Sequence, residues 1–124
     1  MSIALAVGVA GGIGAVARYL LDGAVQDRTA GLFPFGTLTV NVIGSFILGI
    51  LAGVVLRHTG SAHLKAVVGT GFCGGLTTWS TVSWETIRLA EEDAATLAVR
   101  YLMVTLAANL LAGGIGLVLV LGIA

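Results

Sequence analysis

No charged side chain lies between Arg28 and Arg57, none between Lys65 and Glu85, and none after Arg100. With the run that precedes Arg18, these gaps cut the chain into four apolar stretches whose charges gather at the junctions. A helix needs about 20 such residues to cross the hydrocarbon core of a bilayer. Backbone groups in that core must be satisfied within the segment, so only helices and closed barrels span it. The expectation is therefore an all-α membrane protein, a single domain over residues 1–124, with spans at about 3–21, 37–56, 66–90 and 94–123. Composition agrees: 57% of the 124 residues are hydrophobic and 10% charged, with a mean hydropathy of +1.06. A formal net charge of zero leaves no electrostatic basis for binding nucleic acid. The first stretch lacks a basic leader and a cleavage signal, so it reads as a span and not as a signal peptide.

The third stretch fits its surroundings least. From Gly69 to Glu85 it reads GTGFCGGLTTWSTVSWE, with glycines at 69, 71, 74 and 75 and hydroxyls at Thr70, Thr77, Thr78, Ser80, Thr81 and Ser83. The Gly74-Gly75 pair weakens helix by roughly 1 kcal/mol per residue relative to alanine. The threonines that follow can bond local carbonyls and bend the backbone. Together they predict a helix broken at membrane depth. Freed peptide groups are tolerated there only when buried in protein or lining a wet cavity, the setting in which ions and polar substrates are held. The competing reading of the glycines is close helix packing.

Other polar residues are fewer and better spaced. On the first span Ala4, Gly8 and Gly12 share one face, and Gly11 with Ala15 another, each suited to close backbone approach. Arg18-Tyr19 suits the headgroup level, and the following loop, Asp22–Gly36, holds the only proline, Pro34, between Phe33 and Phe35. On the second span Thr37, Asn41, Ser45, Gly49 and Gly53 fall in one line. An intramembrane carboxamide such as Asn41 must either bond a neighbouring helix or face water. Tyr101, Thr105, Asn109 and Gly113 make a similar line on the last span, a candidate wet lane. Glu85 lies near the end of the third span and reads as part of an interfacial or polar network. His58 and His63 sit in a basic loop without carboxylates and read as solvated, and the single Cys73 as a small packing residue. Four short, glycine-rich helices enclose little volume, so an oligomer is expected, most simply a two-fold dimer. Arg57 and Lys65 fall on one side of the membrane, against Arg18, Arg28, Arg88 and Arg100 on the other. That bias is weak enough to permit insertion in both directions.

Three motifs in order carry a resemblance over nearly the whole chain. They are Gly11-Gly12-x-Gly14-Ala15-x-x-Arg18-Tyr19, then Gly36-Thr37-x-x-Val40-Asn41-x-x-Gly44-Ser45-Phe46-x-Leu48-Gly49, and Gly71-Phe72-Cys73-Gly74-Gly75-Leu76-Thr77-Thr78-x-Ser80-Thr81-x-Ser83-x-Glu85. In them the sequence resembles the Fluc (CrcB) fluoride channels. The resemblance implies an antiparallel, dual-topology dimer of four-helix subunits with two fluoride pores in the cell membrane, exporting fluoride and so conferring resistance to it. It also implies a structural Na⁺ held by the carbonyls of Gly74 and Thr77. Asn41 would then point into the pore, with Ser80 and Thr81 lining it, Tyr101, Thr105 and Asn109 forming a polar track, and Arg18 at a vestibule. The family usually carries two phenylalanines where this chain has Trp79 and Val82. The chain would then either conduct as a homodimer with altered properties or pair with a related subunit.

The chemistry fits a small, strongly hydrated anion, which needs hydroxyls, amide N–H groups and aromatic ring edges in place of water. Other classes fit less well. A drug–proton antiporter needs an acid within its first span, and the first here is Asp22 at that span's end. An enzyme needs clustered acids, histidines or a nucleophile–base pair, and the acids lie at junctions. A structural assembly subunit is the remaining alternative.

Overall fold

The computed structural model describes residues 2–58 and 61–122, and every regular element among them is helical. α1 (Ile3–Asp27, 25 residues) starts where the Ser2 hydroxyl accepts the Leu5 N–H at 3.2 Å, a capping serine. α2 (Phe35–His58, 24 residues) follows Pro34, whose carbonyl accepts the Leu38 N–H at 3.2 Å. α6 (Ala95–Gly122, 28 residues) ends the described chain. At about 1.5 Å per residue each exceeds the ~30 Å core of a bilayer. These three are long and apolar enough to cross one. One boundary moves from its expected place. Asp22 and Asp27 belong to α1, so the connection to α2 is shorter than the Asp22–Gly36 loop expected. Ile123, at the expected end of the last span, lies outside the described residues.

The third passage is composite. Ser61 caps a single turn, α3 (Ala62–Leu64). The chain then widens into a π-wound stretch over Lys65–Cys73 and returns to α-helix for α4 (Gly74–Leu76). Thr77 is extended (φ −88°, ψ 158°), and helix resumes as α5 (Ser80–Glu91). The π-wound turns are a local rewinding that hydrophobic periodicity does not signal. The Gly74-Gly75 pair, expected to weaken the helix, stays helical; the departure falls on Thr77. Asp93, with φ 59°, turns the chain from α5 into α6, a conformation that aspartate tolerates better than most residues.

Glycine decides how the helices meet. α1 lies on the π-wound stretch and α4, and α2 lies on α6. A Cβ on Gly75 would run into the Gly11 carbonyl, and one on Gly14 into that of Phe72. Gly49 faces the backbone of Gly113, and Gly116 that of Phe46. The Ala4–Gly8–Gly12 face makes no such contact: a Cβ on Gly8 or Gly12 would meet nothing within 4 Å. A small core joins Val82 and Leu89 of α5 to Ala98 and Tyr101 of α6. Outside these seams large apolar side chains stay exposed, among them Leu5, Val9, Ile13, Val16 and Leu20 on α1 and Leu110, Leu111, Ile115 and Val118 on α6. Stripes this long are not left to water by a soluble monomer. With three spanning helices they mark a membrane protein.

Two glycine variants test this packing. Gly75→Ala should destabilise the purified protein by about 1–3 kcal/mol, because backbone blocks the new methyl. Gly8→Ala should be neutral or stabilising, by up to about 1 kcal/mol of helix propensity. Thermal unfolding in detergent measures both, and equal effects would refute the assigned faces.

Candidate functional site

Thr78 is the residue that most needs help from elsewhere in the fold. It has left the α4 helix and not yet entered α5, so neither its N–H nor its carbonyl has a helical partner. Asn41 of α2 supplies both. Its Oδ1 accepts the Thr78 N–H at 2.7 Å, and its Nδ2 donates to the Thr78 carbonyl at 2.9 Å. The carboxamide stands in for a peptide group, pairing with an isolated backbone as a neighbouring strand would. At 4% exposure water has no competing access. Gly44, one turn further along α2, allows the approach, since a Cβ there would strike the Thr77 methyl.

The hydroxyls follow from that fixed point. Thr78 Oγ1 accepts the Thr81 N–H at 3.1 Å and donates to Thr81 Oγ1 at 3.1 Å, capping α5 in all but name. Ser80 Oγ lies 3.2 Å from Thr78 Oγ1. Thr77 and Ser83 instead turn back on their own backbone, donating to the carbonyls of Cys73 and Trp79. The rearrangement has a consequence for two carbonyls. In a continuous α-helix the N–H groups of Thr78 and Thr81 would bond the oxygens of Gly74 and Thr77. Here they bond Asn41 Oδ1 and Thr78 Oγ1, which leaves those two oxygens without their helical donors.

A cavity of about 210 Å³ opens beside this junction, with Arg18, Tyr19, Asp22, Thr37, Thr78 and Thr81 on its walls. A second, of about 360 Å³, is walled by Asp22, Gln26, Glu85, Arg88 and Glu92, so Asp22 borders both. Tyr101 is fully buried, and its hydroxyl donates to Glu85 Oε1 at 3.1 Å beside Thr37. Further along α6 two buried polar atoms, Thr105 Oγ1 and Asn109 Oδ1, have no partner among the described residues. Buried polar atoms are rarely left so, and water or a ligand is the usual partner.

The sequence-predicted residues therefore divide. Arg18 and Thr81 share one cavity, joined there by Thr78, which Asn41 holds, whereas Ser80 is exposed and not on its walls. Tyr101, Thr105 and Asn109 keep to one buried face of α6. Trp79 and Val82 part company: Trp79 is exposed, whereas Val82 is fully buried against Tyr101. Gly74 is exposed and Thr77 half-buried. Cys73 is buried, and His63 is exposed, while the side chain of His58 lies outside the described residues. Gln26, not singled out by sequence, accepts the Gly36 N–H at 3.0 Å and fastens the α1–α2 connection. Its one sequence signal is its position four residues beyond Asp22, on the same face of α1.

Residues 5–117 match the model of a single family, described as CrcB-like protein, Camphor Resistance (CrcB). The chain belongs to the CrcB-like family. Among its curated relatives, one from Cutibacterium acnes, named Fluoride-specific ion channel FluC 2, is 46% identical over 112 residues, covering 90% of this chain and 91% of the relative. One from Leifsonia xyli subsp. xyli, named Fluoride-specific ion channel FluC 1, is 49% identical over 90 residues, covering 73% of this chain and 66% of the relative. A third, from Streptomyces avermitilis with the latter name, is 44% identical over 98 residues, 79% of each chain. These CrcB-like relatives are named as ion channels and not as enzymes, in keeping with the non-catalytic protein expected from the sequence.

The clamp is open to a direct test. Asn41→Leu leaves the Thr78 N–H and carbonyl buried without partners and should cost about 1–3 kcal/mol for each group. Thermal unfolding in detergent measures this; an unchanged midpoint would show that the Asn41–Thr78 pair does not hold the junction.

Proposed function

We propose that this chain is a passive fluoride channel of the cell membrane. It works as an antiparallel dimer inserted in both orientations, and the third passage serves as its fourth span, broken at mid-membrane depth. The observation that carries this reading is the Asn41–Thr78 pair, which stabilises a non-helical peptide and turns hydroxyls toward a cavity guarded by Arg18. The printed names of the relatives support fluoride as the permeant ion.

The donors suit a small anion. Asn41 uses one of its two amide hydrogens on Thr78 and keeps the other free. Ser80 and Thr81 add hydroxyls, and Trp79 an indole N–H. On α6 Tyr101, Thr105 and Asn109 continue the polar path, and the two orphaned oxygens mark where permeating water or hydrated ion would pass. Arg18, beside Asp22 on the cavity wall, would draw anions to the vestibule, whereas a cation fixed deep in the path would bind them too tightly to release. HF that enters a neutral cytoplasm ionises, and such a channel lets the trapped fluoride run out, conferring resistance.

The carbonyls of Gly74 and Thr77 fit a structural Na⁺ between two copies of the chain. They are hard oxygen donors deprived of their helical N–H partners, and Gly74 is exposed. When bound, the ion would offset anion repulsion and tie the two junctions together. Exchange of Na⁺ for a larger cation throughout purification should weaken the dimer, read by size-exclusion chromatography with light scattering. Indifference to the cation would remove this site.

The deciding experiment is efflux from liposomes holding the purified chain, read with a fluoride electrode and repeated with chloride. Fluoride efflux well above that of chloride is expected. No efflux from the chain alone, with efflux on addition of a related subunit, would make it half of a heterodimer; none in either case would sink the channel reading. Asn41→Asp should suppress flux, through a negative charge beside the anion and the loss of the donor to Thr78.

A further inference from the structure

The space beside Tyr101 is filled from an unexpected direction. Val82, fully buried, shares a core with Tyr101 but brings no ring to it. Phe33, from the connection between α1 and α2, packs onto this core with its ring at 88° to that of Tyr101 and centroids 5.5 Å apart. Phe35 backs it, with centroids at 4.5 Å. The backbone is tied as well as the ring. The Phe33 carbonyl accepts the Phe35 N–H at 2.9 Å and lies 3.4 Å from the donating Nε2 of Gln26, whose Oε1 holds Gly36. Thus a side chain from a surface connection is fixed, at both its ends, against the tyrosine that donates to Glu85.

We propose that Phe33 is a positioning residue of the ion path: it supplies the ring that Val82 does not and fixes the Tyr101 ring, so that the hydroxyl stays aimed at Glu85. The proposal rests on the reading of Tyr101 as part of a fluoride path. Edge-to-face pairing orients two rings through the positive edge of one and the negative face of the other, a preference no aliphatic side chain reproduces. On this account one kind of chain completes the aromatic packing beside Tyr101 without a second, related subunit.

The test is fluoride efflux from liposomes as a function of fluoride concentration. Phe33→Leu, of similar volume but without a ring, should lower flux about two- to tenfold, the worth of one aromatic pair, and shift the half-saturating concentration. Phe33→Tyr should restore most of that loss. Moving the ring to position 82, in Phe33→Ala with Val82→Phe, should recover flux lost in Phe33→Ala alone. Unchanged flux and half-saturation in Phe33→Leu would overturn the proposal, as would a Val82→Phe change that fails to rescue Phe33→Ala. Where Phe33→Ala does not survive reconstitution, the contrast of Leu with Tyr decides. Wild-type liposomes without efflux would instead overturn the channel reading, and this inference with it.

Discussion

A peptide that leaves the helix must find new partners for its N–H and C=O, and the structure depends on how Asn41 meets that demand for Thr78. An unpaired amide in an apolar setting costs roughly 2–7 kcal/mol. One carboxamide removes that cost twice, by presenting acceptor and donor in the geometry of a peptide. Nothing charged is introduced, so the charges at the adjoining cavity are those of Arg18 and Asp22. The same act frees the Gly74 and Thr77 carbonyls and sets Thr78 as the cap of α5.

The glycine seams follow from that requirement. Hydrocarbon gives apolar helices no reason to prefer one another over lipid, so association depends on close backbone contact. Gly11, Gly14 and Gly75 bring α1 against the third passage, and Gly49, Gly113 and Gly116 bring α2 against α6. α2 is held from the far side while Asn41 reaches across, with Gly44 giving Thr77 its room. The site thus sits on helices fixed along their length, and the outer faces of α1 and α6 remain apolar and exposed.

The polar network beside the junction is uneven in a telling way. Tyr101 and Glu85 satisfy each other, and Thr78, Ser80 and Thr81 form a closed hydroxyl cluster. Thr105 and Asn109 are left with buried oxygens unpaired. Such a gradient, from satisfied to unsatisfied along one helix face, is costly in a structural core. Arg88 and Glu92 pair at 3.1 Å on the exposed end of α5, where the contact adds little stability.

Much of this was legible in the chain. The charge-free runs pointed to the helical class and to where α1, α2 and α6 lie, though not to their ends, because solvent preference is a property each residue carries by itself. The crowding of glycines and hydroxyls between Gly69 and Ser83 located the irregular region. Sequence alone left Asn41 undecided between a bond to another helix and a wet face. It also gave the irregular point only as a cluster of glycines and threonines, of which Gly74 and Gly75 stay helical and Thr77 is extended. Those choices belong to tertiary structure. Asn41 and Thr78 lie 37 residues apart, and the glycine at 75 serves the close approach of Gly11 from another helix, whose carbonyl occupies the space a Cβ would need. Phe33 on Tyr101 has the same origin: which partner a side chain meets depends on helices brought together from distant parts of the chain, and no local pattern encodes that encounter.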